Sequence, residues 1–206
     1  MRKKIAILLC GAMSITLLGA CSSNLEVNKN TIALQKNGKV LEAAVEDFSQ
    51  SYYDEEELNV YIQDAVDSYV AENGKNTVTI SESKVEEQKA YLTLAYKDVE
   101  TFSDFTDIEC FSGSVVQAQS AGYDFDMEFY EVTDGVADKN PVSSKEVLED
   151  DNLKAFIVRE NSDIIVPGEI AYVSVEGTEV ASKDTVTVQA KENDTDEAIL
   201  VYVLYR

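Results

Sequence analysis

The chain has 206 residues, with 39 acidic side chains against 17 basic ones, a formal net charge of −22, and neither His nor Trp. Such an acidic surface repels phosphates and argues against nucleic-acid binding. Without His, the Ser-His-Asp and Cys-His nucleophile systems and the commonest metal ligand are removed. Apolar content of 45% is enough for a folded core rather than a disordered chain.

In chain order, Arg2, Lys3 and Lys4 form a basic start, followed by an apolar stretch from Ile5 to Leu18. That stretch is short for a membrane-spanning helix and has the length and flanks of a signal-peptide core. Leu18-Gly19-Ala20-Cys21 then resembles a bacterial lipobox. The resemblance implies cleavage before Cys21 and a diacylglycerol on its sulfur, which places the mature chain on the outer face of a cell membrane. Residues 1–20 carry three basic side chains and no acids, so their removal takes the charge from −22 to −25. Cys10 leaves with the signal peptide and Cys21 becomes a thioether. Cys110 is then the one remaining thiol, expected to be buried and inert. With no disulfide partner and no His, a structural zinc site is not expected.

Residues 21–30 read as a polar tether, reaching about 30 Å when fully extended. The folded domain is expected over 31–206. Thr31 to Gln35 alternates like a strand. Asn37-Gly38 supplies a two-residue hairpin turn, and the return strand runs from Lys39 to Val45. Asp54 is the expected cap of a long helix, with Leu58, Ile62, Ala65, Val66 and Tyr69 along one face and Asn73-Gly74 at its end. Strands follow over Thr77 to Ser81 and Lys89 to Tyr96, separated by a turn. Val99 to Phe105 and Ser114 to Ala121 are short helices, the second stopped by Gly122. Tyr123 to Val132 alternates as a strand, with Phe125, Met127 and Phe129 on one side. Asp138 to Pro141 is a connection, and Ser143 with Glu146 caps a short helix.

Beyond residue 154 the pattern is strand-rich: Ala155–Arg159, Ile170–Val175, Thr185–Ala190 and Ala198–Tyr205. Pro167-Gly168, Glu176-Gly177 and Asn193-Asp194 punctuate them. The last strand is apolar on both faces and reads as central. About 55 residues after the Ala155 region are few for a complete immunoglobulin-like sandwich. The expected class is therefore α+β: a mostly antiparallel sheet with one main helix, short helices, and a β-rich C-terminal half. Two subdomains meeting near residue 140 are the alternative.

Three patches resemble small lipoproteins of anaerobic Gram-positive bacteria. They are Asn37-Gly38-Lys39-Val40, then Val45-Glu46-Asp47-Phe48 with Tyr52-Tyr53-Asp54-Glu55-Glu56-Glu57-Leu58, and Phe111-Ser112-Gly113-Ser114-Val115 running on to Ala121-Gly122-Tyr123. The resemblance implies an envelope lipoprotein and brings no activity with it.

Strand alternation would put Asp124, Asp126 and Glu128 on one face, about 6–7 Å apart, as a candidate Ca²⁺ site if loop oxygens completed the shell. The plainer reading is a solvated strand face. Paired carboxylates could run glycoside hydrolysis, but the abundance of acids singles out no pair. Ser81 to Lys84 has Ser-x-x-Lys spacing in an expected turn, without companion motifs. Of eleven Tyr, Tyr52, Tyr53 and Tyr123 are candidate binding residues for a peptide or glycan. No cofactor is indicated. The sequence thus points to a non-enzymatic binding or structural module of the cell envelope. Its expected contacts are the membrane, through Cys21, and an envelope protein or glycan partner. A carboxylate-dependent envelope hydrolase is the alternative.

Overall fold

The structure is a computed structural model and describes residues 25, 27–189 and 198–206. Cys21, the signal segment and the Asn193-Asp194 turn lie outside the described residues. In chain order the elements are β1 (Thr31–Leu34), β2 (Val40–Asp47), α1 (Glu55–Asn73), β3 (Val78–Glu86), β4 (Lys89–Tyr96), α2 (Val99–Thr106), β5 (Cys110–Ser114), α3 (Val115–Ser120) and β6 (Glu128–Thr133). There follow β7 (Val136–Ala137), β8 (Val142–Ser143), α4 (Ser144–Val147), β9 (Lys154–Arg159), β10 (Asp163–Ile165), β11 (Ile170–Ser174), β12 (Thr178–Val180), β13 (Thr185–Val188) and β14 (Leu200–Tyr205).

Two seven-stranded sheets result, mostly antiparallel. The first runs β12-β13-β10-β1-β2-β4-β3, and the second runs β5-β9-β14-β11-β6-β7 with β8 beside β6. Strands from before and after residue 140 share both sheets. The decisive link is the parallel pairing of β1 with β10, Ile32 opposite Ile164. It joins the N-terminal strands to the C-terminal ones, which a count of residues after Ala155 does not anticipate.

The pairing registers align Ile32, Leu34, Val40, Leu94, Tyr96, Ile164 and Val186 on one face of the first sheet. These pack against Phe156, Val158, Val173, Val201, Val203 and Tyr205 of the second sheet in one core. The alternate residues of the second sheet, Ala155, Ile157, Ala171, Tyr172, Tyr202 and Leu204, form a second core under Val115, Ala118, Phe125, Val147 and Leu153. This explains why β14 is apolar on both faces: it lies between β9 and β11 and is covered on each side.

α1 forms where expected. The Asp54 carboxylate accepts from the backbone N–H groups of Glu56 and Glu57 at 2.8 and 3.0 Å. The three acids of the first turn suit the helix dipole. Ile62 and Val66 are the buried residues of this helix. Phe102 of α2 is fully buried, in edge contact with Tyr96 at 5.1 Å.

Two turns differ from expectation, and a third shows a close approach. The first hairpin has a three-residue loop, Lys36 to Gly38. Gly38 at φ 83° takes the left-handed position, and its N–H donates to the Gln35 carbonyl. The second hairpin turns at Glu87-Gln88, both with positive φ (49° and 62°), so β3 runs straight through the Ser81–Lys84 segment expected to turn. A bulge at Ser81 absorbs the irregularity. At Pro167-Gly168 the backbone passes so close to the Arg206 carbonyl that a Cβ on Gly168 would collide with it.

Candidate functional site

The polar groups of the first sheet gather at one end, where β1 and β10 begin and β2 and β13 finish. Asn30, just before β1, holds this end together. Its Oδ1 accepts from the Val45 N–H at 2.8 Å, and its Nδ2 donates to Glu46 at 3.2 Å. Its backbone carbonyl accepts from the Asp163 N–H at 2.9 Å. The Asp163 carboxylate accepts from Thr187 Oγ1 at 2.7 Å and is paired with the Lys29 ammonium at 2.9 Å.

These residues, with Asn28, Asp47, Lys89, Asn161, Ser162, Val188 and Gln189, line a groove of about 460 Å³. Two side-chain atoms among them, Asn161 Oδ1 and Ser162 Oγ, are buried without a hydrogen-bond partner. Buried polar groups in folded chains are paired in the great majority of cases, so these two adjacent atoms, both closed off from solvent, stand out as exceptions.

An aromatic group follows β2 in the chain and lies outside the groove's lining. Asp47 and Lys89 line the groove and pair across β2 and β4. Phe48 follows Asp47, and its N–H donates to the Gln88 carbonyl at 2.8 Å. The Phe48 ring stacks on Tyr53 at 5.0 Å, and Tyr52 meets Tyr53 edge-on at 4.9 Å. Hydrogen bonding to Tyr52, and more weakly the Asp47 carboxylate, raise the pKa of the Tyr53 hydroxyl. Tyr52 is 76% exposed and Tyr53 44% exposed. Both therefore present ring surface to solvent.

Tyr123, the third tyrosine candidate, lies elsewhere. It packs on Phe111 at 5.2 Å and on Tyr202 at 6.3 Å, beside the second core. The acidic row also rearranges. β6 begins only at Glu128, and Asp124 Oδ1 accepts from the Asp126 N–H at 2.8 Å in a local turn. Asp124, Asp126 and Glu128 therefore do not lie along one strand face. Phe125 explains why: it turns into the second core from an irregular segment, so its neighbours follow the loop rather than a pleat. Among the described residues no three Asp, Glu, Cys or His side chains are grouped closely enough to hold a metal ion.

Other reactive groups have structural partners. Cys110 is half-buried on β5, and loss of hydration pushes its thiol pKa up. Lys84 pairs with Glu82 at 3.1 Å and lies over the Tyr91 ring, while Ser83 donates to Asn59 at 2.5 Å. Glu42 faces the core, and its carboxylate accepts from the Tyr96 hydroxyl. Burial raises its pKa, the Tyr96 hydrogen bond opposes this, and the Glu160 charge adds to the rise.

Asn161, Ser162 and Asp163 carry no motif and were not legible as site residues in the sequence. The only cue is a polar trio directly ahead of the short apolar run Ile164 to Val166.

No protein-family model matches the chain, and no curated protein or solved structure matches it significantly.

Proposed function

We propose that the chain is a lipid-anchored extracytoplasmic protein acting as a non-enzymatic binding module of the cell envelope. Cys21 carries the lipid, and the membrane is its first partner. The observation that supports binding is the groove at the end of the first sheet, with Asn161 Oδ1 and Ser162 Oγ unpartnered beneath it. A concave site with a few convergent polar groups is the usual form of a ligand site. Asn28, Lys29 and Asn30 form part of its wall, so it opens within ten residues of Cys21 and faces a zone close to the bilayer.

The hydrolase alternative ranks below this reading. Glu42 is the acid whose protonation burial favours, as a general acid requires. Yet its carboxylate is engaged by Tyr96, and it is not among the residues lining the groove.

Two measurements test the proposal. A Cys21→Ser variant is expected to leave the membrane fraction or remain unprocessed; fractionation identical to the parent removes the anchor. Crosslinking on intact cells is expected to capture a wall or envelope component. Cleavage of wall glycans by the purified chain, with nothing captured, would reverse the ranking.

A further inference from the structure

We infer that the free edge of β5 accepts an extended, basic peptide segment of a partner protein as an added strand; this surface lies on the second sheet and goes beyond the groove described above. The first argument is the direction of the backbone groups. β5 ends the second sheet, with β9 as its neighbour, Cys110 opposite Val158 and Ser112 opposite Phe156. In an antiparallel ladder, hydrogen-bonded pairs alternate with pairs that are not bonded. The Arg159 N–H donates to the Glu109 carbonyl at 3.0 Å, and the Val115 N–H donates to the Leu153 carbonyl at 3.4 Å. Both bonds keep the same register. The odd-numbered residues of β5 therefore bond to β9, and the N–H and C=O groups of Cys110 and Ser112 point away from it.

The chain closes this edge at both ends and leaves its middle open. Ser103 donates its hydroxyl to the Ile108 carbonyl, and the Ser114 N–H donates to Gln117 Oε1 at 2.8 Å. Between them, the backbone groups of Cys110 and Ser112 have no hydrogen-bond partner among the described residues. Cys110, Phe111 and Ser112 form one wall of a cleft of about 580 Å³, and α2 forms the other. The edge at β3 is guarded by Glu82, Lys84 and Glu86, whereas Cys110–Ser114 carries no charged side chain.

Charge selects the occupant. Glu100, Asp104 and Asp107 line the cleft, and no Lys or Arg does. The last turn of α2 has no basic residue, so the partial negative charge of the helix C-terminus adds to these carboxylates. A second copy of the chain, at net charge −22, is repelled. A metal ion is not favoured, because among the described residues no three acids group closely enough to hold one. The two faces of the edge also differ. Cys110 packs with Val99 and Phe105 of α2, and Phe111 packs against the second core. An added strand would turn alternate side chains toward α2 and toward Phe111, which suits a segment alternating basic and apolar residues.

The test titrates the full chain in detergent micelles with acetyl-Lys-Val-Lys-Val-Lys-amide. An acidic chain attracts any cation, so the control is the same peptide methylated at every backbone nitrogen, which keeps the charge and cannot complete the ladder. Saturable binding of the first below about 1 mM is expected in calorimetry, with the second about tenfold weaker. Hydrogen exchange should slow at the Cys110 and Ser112 amides and stay unchanged at Phe111 and Gly113, which already face β9. Glu100→Gln with Asp107→Asn, both exposed, should weaken binding about fivefold and flatten its salt dependence. Ser112→Pro removes an outward N–H and leaves the ladder to β9 in place, so binding should fall about tenfold. If the proline lowers the melting temperature, the charge variant and the exchange pattern decide.

Equal binding of the two peptides overturns the inference, because charge alone then explains it. So does the lack of saturable binding at about 10 mM peptide, well beyond ordinary weak affinities. Equal binding of acetyl-Glu-Val-Glu-Val-Glu-amide, or protection at sites other than Cys110 and Ser112, overturns it too. A dimer of the parent chain in sedimentation, dissociated by Ser112→Pro, would assign the edge to a second copy and overturn it as well.

Discussion

Phe156, Ile157 and Val158 of β9, with Val203 and Leu204 of β14, are fully buried on both faces of the second sheet. The corresponding inner strands of the first sheet are mixed: β2 carries Glu42 toward the core, β4 carries a buried Thr93, and Asn30 and Asp163 stand at the openings of β1 and β10. Among the described residues the second sheet is therefore a largely apolar platform whose buried side-chain polar atoms all have partners, Ser174 Oγ accepting from the Tyr202 N–H. The first tolerates polar groups because each is held by a neighbour, except at Asn161 and Ser162. If the proposed binding reading holds, stability and recognition at the groove divide between the two sheets in this way, and the division can be tested.

The largest effect is expected in the second sheet. Phe156→Ala removes a fully buried ring between the sheets and should cost about 3–5 kcal/mol in denaturant unfolding. A loss under about 1 kcal/mol would show that the platform is not where stability resides. A smaller effect belongs to the periphery of the first sheet. Asp54→Ala removes the cap of α1 and should cost about 1 kcal/mol. A matching loss of helical circular dichroism should accompany it.

The subtlest effect is a slope. Glu42 has a pKa raised in the folded state by burial, opposed by Tyr96 and reinforced by Glu160. The folded chain therefore binds this proton more tightly than the unfolded chain does. Its stabilising contribution is complete below the ordinary value of 4.5 and declines as pH rises through the higher folded value. Glu42→Gln keeps a neutral side chain at every pH. Parent and variant should converge at low pH, and the variant should be the more stable at neutral pH. Parallel stability curves for the two would contradict a buried, proton-favouring carboxyl.

Local rules made much of the fold legible. The Asp54 cap, the α1 stripe, the alternation of β4 and the doubly apolar β14 each follow from neighbours in sequence. What escaped was set by distant partners. β10 has three residues, too few for a period, and exists because β1 pairs with it. β3 looked broken at its serines because a non-glycine turn at Glu87-Gln88 has no sequence signature. For the same reason Tyr52 and Tyr53 could be singled out beforehand, whereas Asn161 and Ser162 could not. An exposed aromatic pair beside a cap is visible in sequence. An unpartnered buried hydroxyl is defined only by the fold around it.

The placement of β1 bears on force as well as on folding. It is the first strand among the described residues, and it is hydrogen-bonded antiparallel to β2 and parallel to β10. If the chain is anchored at Cys21 as proposed, a pull along the axis of β1 would load both ladders in shear, so that their bonds resist together instead of opening one by one. Under that anchor the groove at the head of β1 would lie on the line of the pull.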